Sequence, residues 1–253
     1  MYELSLLKKR DMKKVCFIVI MFLVGYTAQS QVLISLLLGD KLNSGNLEFG
    51  LEGGYNFSNI SGFESSKSIG NFNIGFYFDI KIKDHWSIYT GVLVKSNLGA
   101  DRLSDADLER LGVISYDEPG EYSQVLKYFV VPALAKYAFD NRVYIEGGPQ
   151  FALLSKAYVE YNSDIDGRDA RIRSKNKSDV NPIDMGLTIG TGYRLTDKIS
   201  GMTIGVKYYY GLVNVYKGVA GTNNSSFFLK VNIPIGAGKA SNKKAEEEIE
   251  VSN

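Results

Sequence analysis

The chain has 253 residues, 45% of them hydrophobic and 12% aromatic, and its 29 basic residues are nearly balanced by 28 acidic ones. So even a balance leaves no electrostatic footprint for nucleic acid, and a lone cysteine, Cys16, leaves neither a disulfide nor a thiolate metal site. The 26 glycines, 17 tyrosines and 13 phenylalanines, set against one Trp and one His, point to many short strands with aromatic belts.

At the N-terminus, Met12, Lys13 and Lys14 form a positive stretch, Val15 to Val24 an apolar run, and Thr27 to Ser30 a small-residue segment. This is the pattern of an export signal cleaved between Ser30 and Gln31, and the apolar run is shorter than the ~20 residues a spanning helix needs. Residues 1–11 precede the natural start of that signal at Met12. Cys16 lies near the start of the apolar run, where a lipid-anchored cysteine would follow it. The expected organisation is an N-terminal extension and signal peptide over 1–30, a periplasmic segment over 31–44, a β-barrel over 45–236 and a polar periplasmic tail over 237–253.

From Leu47 onward apolar residues recur at every second position, the period of a strand with one greasy face. In the first run Leu47, Phe49, Leu51, Tyr55 and Phe57 oppose Glu48, Gly50, Glu52, Gly54 and Asn56. The second sets Phe72, Ile74, Phe76, Phe78 and Ile80 against Asn73, Gly75, Tyr77, Asp79 and Lys81. A third strand is predicted from Trp86 to about Leu98, a fourth, without a clear phase, from Val125 to Phe139, and a fifth from Val143 to about Tyr158. The sixth opposes Ile183, Met185, Leu187 and Ile189 to Asp184, Gly186, Thr188 and Gly190, continuing to Arg194. The seventh opposes Ile204, Val206, Tyr208 and Tyr210 to Gly205, Lys207 and Tyr209, and the eighth opposes Phe227, Leu229, Val231 and Ile233 to Lys230 and Asn232.

Connections alternate between tight ones, at Lys83–His85, Asp140–Arg142 and Thr196–Gly201, and long ones at Ser58–Ser68, Ala100–Gln124, Asn162–Pro182 and Val215–Asn224. An even strand number with alternating connections predicts an all-β, eight-stranded antiparallel up-and-down transmembrane barrel, short turns in the periplasm and long loops outside, in the outer membrane of a Gram-negative bacterium. An open sheet edge in lipid would strand unpaired backbone groups, so the sheet must close. A soluble lipocalin-like barrel shares the count and the alternation, and alternation alone does not say which face is inside. Long strands, an apolar face almost free of charge and tyrosines near strand ends favour the membrane.

Gln31 to Ser44 running into Leu47–Asn56 resembles the start of PorT-like outer-membrane β-barrel proteins. Val131–Tyr137 resembles that family's fourth strand and Tyr144–Gln150 its fifth. The resemblance spans about Gln31 to Gly236 and implies a porin-like outer-membrane barrel, with an accessory role in protein secretion across that membrane. The polar tail, with Glu246, Glu247 and Glu248, departs from the terminal aromatic such a barrel would carry.

With the polar face inside, the lumen gathers Glu48, Glu52, Asp79, Glu146 and Asp184 with Lys81, Arg194, Lys207 and Lys230. Eight strands leave just enough room for side chains, so these groups are expected to pair into a plug. His85 sits in a turn without a second ligand, and Asp164, Asp166, Gly167 and Asp169 lack the spacing and distal Glu of a calcium loop. No catalytic residue, metal or cofactor is expected. In the second loop, Leu103–Gly112 predicts a short helix capped by Ser104 and stopped by Gly112. In the third, Arg168, Arg171, Arg173, Lys175 and Lys177 suit the phosphates of lipopolysaccharide, alongside acidic neighbours that make a solvated loop the plainer reading. The function expected is a structural, adhesive or ligand-recognition role through the outer loops. Accessory secretion work, and a narrow pore or barrel enzyme, are the alternatives. Expected partners are membrane lipid, lipopolysaccharide and envelope or secretion proteins, with the chain a monomer.

Overall fold

The computed structural model describes residues 46–64, 67–165, 168–196 and 201–235. The predicted cleavage site at Ser30 and Gln31, the segment 31–44 and the tail 237–253 lie outside them. Among the described residues the strands are β1 (Leu47–Ile60), β2 (Ile69–Lys83), β3 (Trp86–Ala100), β4 (Glu121–Ala138), β5 (Val143–Ile165), β6 (Arg168–Lys175), β7 (Ile183–Arg194), β8 (Thr203–Asn214) and β9 (Asn223–Pro234), with one helix, α1 (Asp105–Arg110).

Eight of these strands form a closed antiparallel ring in the order β1-β2-β3-β4-β5-β7-β8-β9, and β9 returns to pair with β1 from Gly50 opposite Pro234 to Ile60 opposite Asn224. Closure leaves no strand edge in the ring, as backbone in a medium without water requires. The ninth strand was not expected. β6 pairs only with the far end of β5, from Tyr158 opposite Lys175 to Ile165 opposite Arg168. The stretch read as a loop over 162–182 is therefore largely a β-hairpin standing beyond the ring. At 23 residues, β5 is about twice the length needed to cross a bilayer, so its second half lies outside it.

The apolar face points outward. Phe72 is 67% exposed and Ile189 69%, whereas Glu52, Glu146 and Lys230 on the opposite face are each 3% exposed. A soluble barrel would reverse this sidedness, because burying charge while exposing large apolar chains to water costs free energy on both counts. In lipid the same arrangement is favourable. Trp86, Tyr137 and Phe139 cluster where the short turns lie, with ring centroids about 5 Å apart (5.0 Å and 4.9 Å), and His85 packs on Tyr137 at 5.6 Å. They form the aromatic belt of the turn end.

Inside, small residues make room for large ones. A Cβ at Gly192 would lie 2.3 Å from the Tyr144 hydroxyl, and one at Gly50 would lie 2.5 Å from the Tyr77 ring. These inward glycines let the tyrosines lie across the barrel floor. Towards the loop end the lumen is filled by Leu93, Leu98, Leu126, Tyr128, Val130, Leu154, Tyr209 and Phe228.

Candidate functional site

The lumen near the turn end holds a lattice built on three ion pairs. Lys207 on β8 reaches Glu52 on β1 at 2.8 Å, Lys230 on β9 reaches Glu146 on β5 at 2.5 Å, and Lys136 on β4 reaches Asp79 on β2 at 2.5 Å. Tyr89 binds them together. Its hydroxyl donates to Glu52 and accepts from Asn232 Nδ2 at 2.9 Å, while the Lys230 ammonium sits 4.1 Å from its ring centroid. Tyr77 stacks on Tyr89 with centroids 5.5 Å apart and donates to Glu48 at 2.7 Å. Each cation is thus matched by a carboxylate or an aromatic face, which is what buried charge requires. Among the described residues of this cluster the Tyr144 hydroxyl and Glu146 Oε2 are buried without a hydrogen-bond partner, while each of the three lysines meets a carboxylate. Among the described residues no group of His, Cys, Asp and Glu is placed to hold a metal ion.

The loop end is a folded cap. Ser104 accepts from the Asp107 amide at 3.1 Å and Asp107 returns the bond to the Ser104 amide, a complete capping box, and Gly112 ends the helix at φ +63°. Asp107 also accepts from the Glu64 amide at 3.0 Å and so ties the second loop to the first. Gln124, wholly buried, exchanges hydrogen bonds with Asn176 at 2.7 and 3.3 Å and accepts from the Tyr216 hydroxyl at 2.9 Å, joining β4 to the third and fourth loops. Burial pushes the Tyr216 phenol well above its ordinary range, so it serves as a neutral donor. Asp184 is buried nearby and accepts from Asn224 Nδ2 at 2.8 Å.

On the projecting hairpin, Arg173 bonds Glu160 at 2.6 Å and lies 5.0 Å from the Tyr158 ring, and that hydrogen bond raises its already high pKa. Arg171 reaches Asn162 at 2.9 Å. Lys175 and Lys177 are exposed. Beside them Tyr116 packs on Tyr161 at 4.8 Å, and Ile114 is 81% exposed.

The family described as "outer membrane protein beta-barrel domain" matches residues 27–217, about three-quarters of the chain. The chain belongs to this outer-membrane β-barrel family. Its place is the outer membrane of a Gram-negative bacterium, its turns are periplasmic and its loops extracellular. No curated protein matches it. Solved structures similar to this barrel include the attachment invasion locus protein Ail of Yersinia pestis bound to the heparin analogue sucrose octasulfate. It is 12% identical, has a TM-score of 0.39, and the match covers 74% of this chain and 97% of Ail. Neisserial surface protein A is 16% identical with a TM-score of 0.34, covering 73% and 96%. OprG of Pseudomonas aeruginosa is 11% identical with a TM-score of 0.29, covering 74% and 91%.

Of the charged residues assigned to the outer-membrane barrel's lumen by sequence, the structure brings Glu48, Glu52, Asp79, Glu146, Lys207 and Lys230 into the lattice and sets Asp184 apart, near the loop end. Lys81 does not join them. It is exposed at the turn end, where β2 has passed the last buried layer, so water solvates its ammonium. Arg194 is half-buried at the last residue of β7 and bonds through its backbone to Arg142. The side chain of Arg168 lies outside the described residues. Lys136 was missed, because β4 is apolar on both faces and gave no phase. Its alternate positions Gln124 and Lys136 were the only polar signal for the inner one.

Proposed function

We propose that this barrel is a closed scaffold whose working surface is the extracellular cap and the β5-β6 hairpin, and that it acts by recognition or adhesion at the cell surface. The observation that carries this reading is the filling of the lumen by paired charges at one end and apolar side chains at the other, which directs any ligand to the outside. Loops fixed on a rigid barrel are where recognition residues concentrate. The hairpin cations Arg171, Arg173, Lys175 and Lys177 suit lipopolysaccharide phosphates, with the protein acting as a monomer.

The test is capture of the detergent-solubilised full chain on immobilised lipopolysaccharide. Replacing those four cations by Gln should reduce capture strongly while heat-modifiable gel migration is retained. Unchanged capture would contradict the hairpin's role. The resemblance of Gln31–Asn56, Val131–Tyr137 and Tyr144–Gln150 to PorT-like barrels favours a second reading, an accessory to protein secretion, and this one requires envelope machinery to co-purify with the chain.

A further inference from the structure

The cap encloses a cavity of about 180 Å³ at the meeting point of all four extracellular loops. The buried rings of Phe63 in the first loop and Tyr216 in the fourth, 5.7 Å apart between centroids, line it with the half-buried Val219, and the exposed Arg110, Lys217 and Asp179 supply its charged rim. We propose that this cavity binds one carboxylated pyranose, a uronic-acid-like sugar, free or at the end of a glycan chain. The inference rests on the extracellular-recognition reading and names its ligand.

Three features select that chemistry. The first is size, since a cavity of about 150 Å³ encloses one benzene ring, so this one of about 180 Å³ seats part of a single sugar ring and leaves the remainder in solvent between the exposed Arg110, Lys217 and Asp179. The second is charge, because two cations and one carboxylate line the rim and favour an anion. Arg110 uses one of its donors on the Gly62 carbonyl at 2.7 Å and Lys217 one on the Ser178 carbonyl at 2.7 Å. A guanidinium has five N–H donors and an ammonium three, so both retain donors for a ligand carboxylate. The third is the acceptor Asp179, which binds Ser178 Oγ at 3.0 Å through one oxygen and offers the other to sugar hydroxyls.

The cavity is also preorganised. The bonds from Arg110 and Lys217 to loop carbonyls, and from the Lys217 amide to the Asp179 carbonyl at 2.8 Å, hold the rim before any ligand arrives. Little ordering entropy then opposes binding. An aromatic acid would satisfy the cations yet bring no hydroxyl to the second oxygen of Asp179, which makes benzoate the informative control.

The experiment is saturation-transfer NMR on the full chain in detergent micelles with glucuronate, its methyl glycoside, glucose and benzoate as probes. Glucuronate should receive saturation and glucose much less, and binding of the methyl glycoside would identify a chain end rather than the free sugar. Arg110→Gln and Lys217→Gln should each weaken glucuronate binding roughly tenfold, the loss of one charge-assisted hydrogen bond. Val219→Trp fills the cavity without touching the rim bonds and should abolish transfer, with heat-modifiable migration verifying the fold. No transfer to glucuronate from the wild-type chain, an undiminished signal from Val219→Trp, or benzoate binding as tightly as glucuronate would overturn the proposal. If glucuronate fails while lipopolysaccharide capture still depends on the hairpin cations, the cavity assignment falls and the extracellular-recognition reading stands. Loss of both removes the reading itself.

Discussion

The two halves of the lumen solve one problem in different ways. Near the periplasmic turns, Glu52, Glu146, Asp79 and three lysines fill the barrel with matched charge. Towards the loops, Leu93, Leu126, Tyr128 and Phe228 fill it with apolar volume, and the polar groups there include the amides Gln124 and Asn176 and one buried carboxylate, Asp184. The wall around both halves is the same antiparallel ring with the same greasy exterior. The contrast teaches that the outward face decides membrane insertion, while the inward face is free to be charged or apolar so long as it fills space and matches its lysines with carboxylates.

The largest effect should come from breaking the charged half. Glu146→Ala leaves the Lys230 ammonium buried without its carboxylate and should cost about 3 to 5 kcal/mol in urea unfolding from detergent, whereas Glu146→Met with Lys230→Met should recover most of it. A double substitution as costly as the Glu146 and Lys230 single substitutions added together would show that the pair has no coupling. Next is the shared wall, where Leu229→Arg, near the middle of β9 on the lipid face, should cost about 2 to 4 kcal/mol in bilayers. A neutral result would place Leu229 away from the bilayer midplane. The smallest effect belongs to the loop half. Gln124→Ala should cost about 1 to 3 kcal/mol by stranding Asn176 and Tyr216. Its loss should appear as faster amide exchange in the cap, with the turn-end strands unchanged. Uniform acceleration around the ring would merge the two halves into one unit.

The contrast between halves also marks what the sequence could express. Strands β1, β2, β7, β8 and β9 alternate cleanly because one of their faces meets lipid and the other meets polar groups, and the outward positions of Phe72, Leu187 and Leu229 follow from that alternation. β4 lost its phase because Leu126, Tyr128, Val130 and Leu134 face inward against an apolar lumen while Phe129, Val131 and Ala133 face outward. Lys136 went unnoticed for the same reason. β6 was hidden differently, since outside the bilayer a hairpin needs no greasy face, and Arg-Asp-Ala-Arg-Ile-Arg-Ser-Lys reads as a solvated loop until its pairing with β5 is seen. The helix α1 was legible because its signals, Ser104 and Gly112, are local. The cap cavity was not, because Phe63, Arg110, Asp179 and Lys217 come from four separate loops, and no spacing in the chain encodes their meeting.

The most direct test of a closed scaffold is electrical. The purified full chain, inserted into planar bilayers and verified as folded by its heat-modifiable migration, should carry no steady ionic current, because the Glu52-Lys207, Glu146-Lys230 and Asp79-Lys136 pairs and the apolar layer above them occupy the lumen. A stable ohmic conductance that scales with the amount of inserted protein would contradict the account, and with it the assignment of function to the outer surface alone.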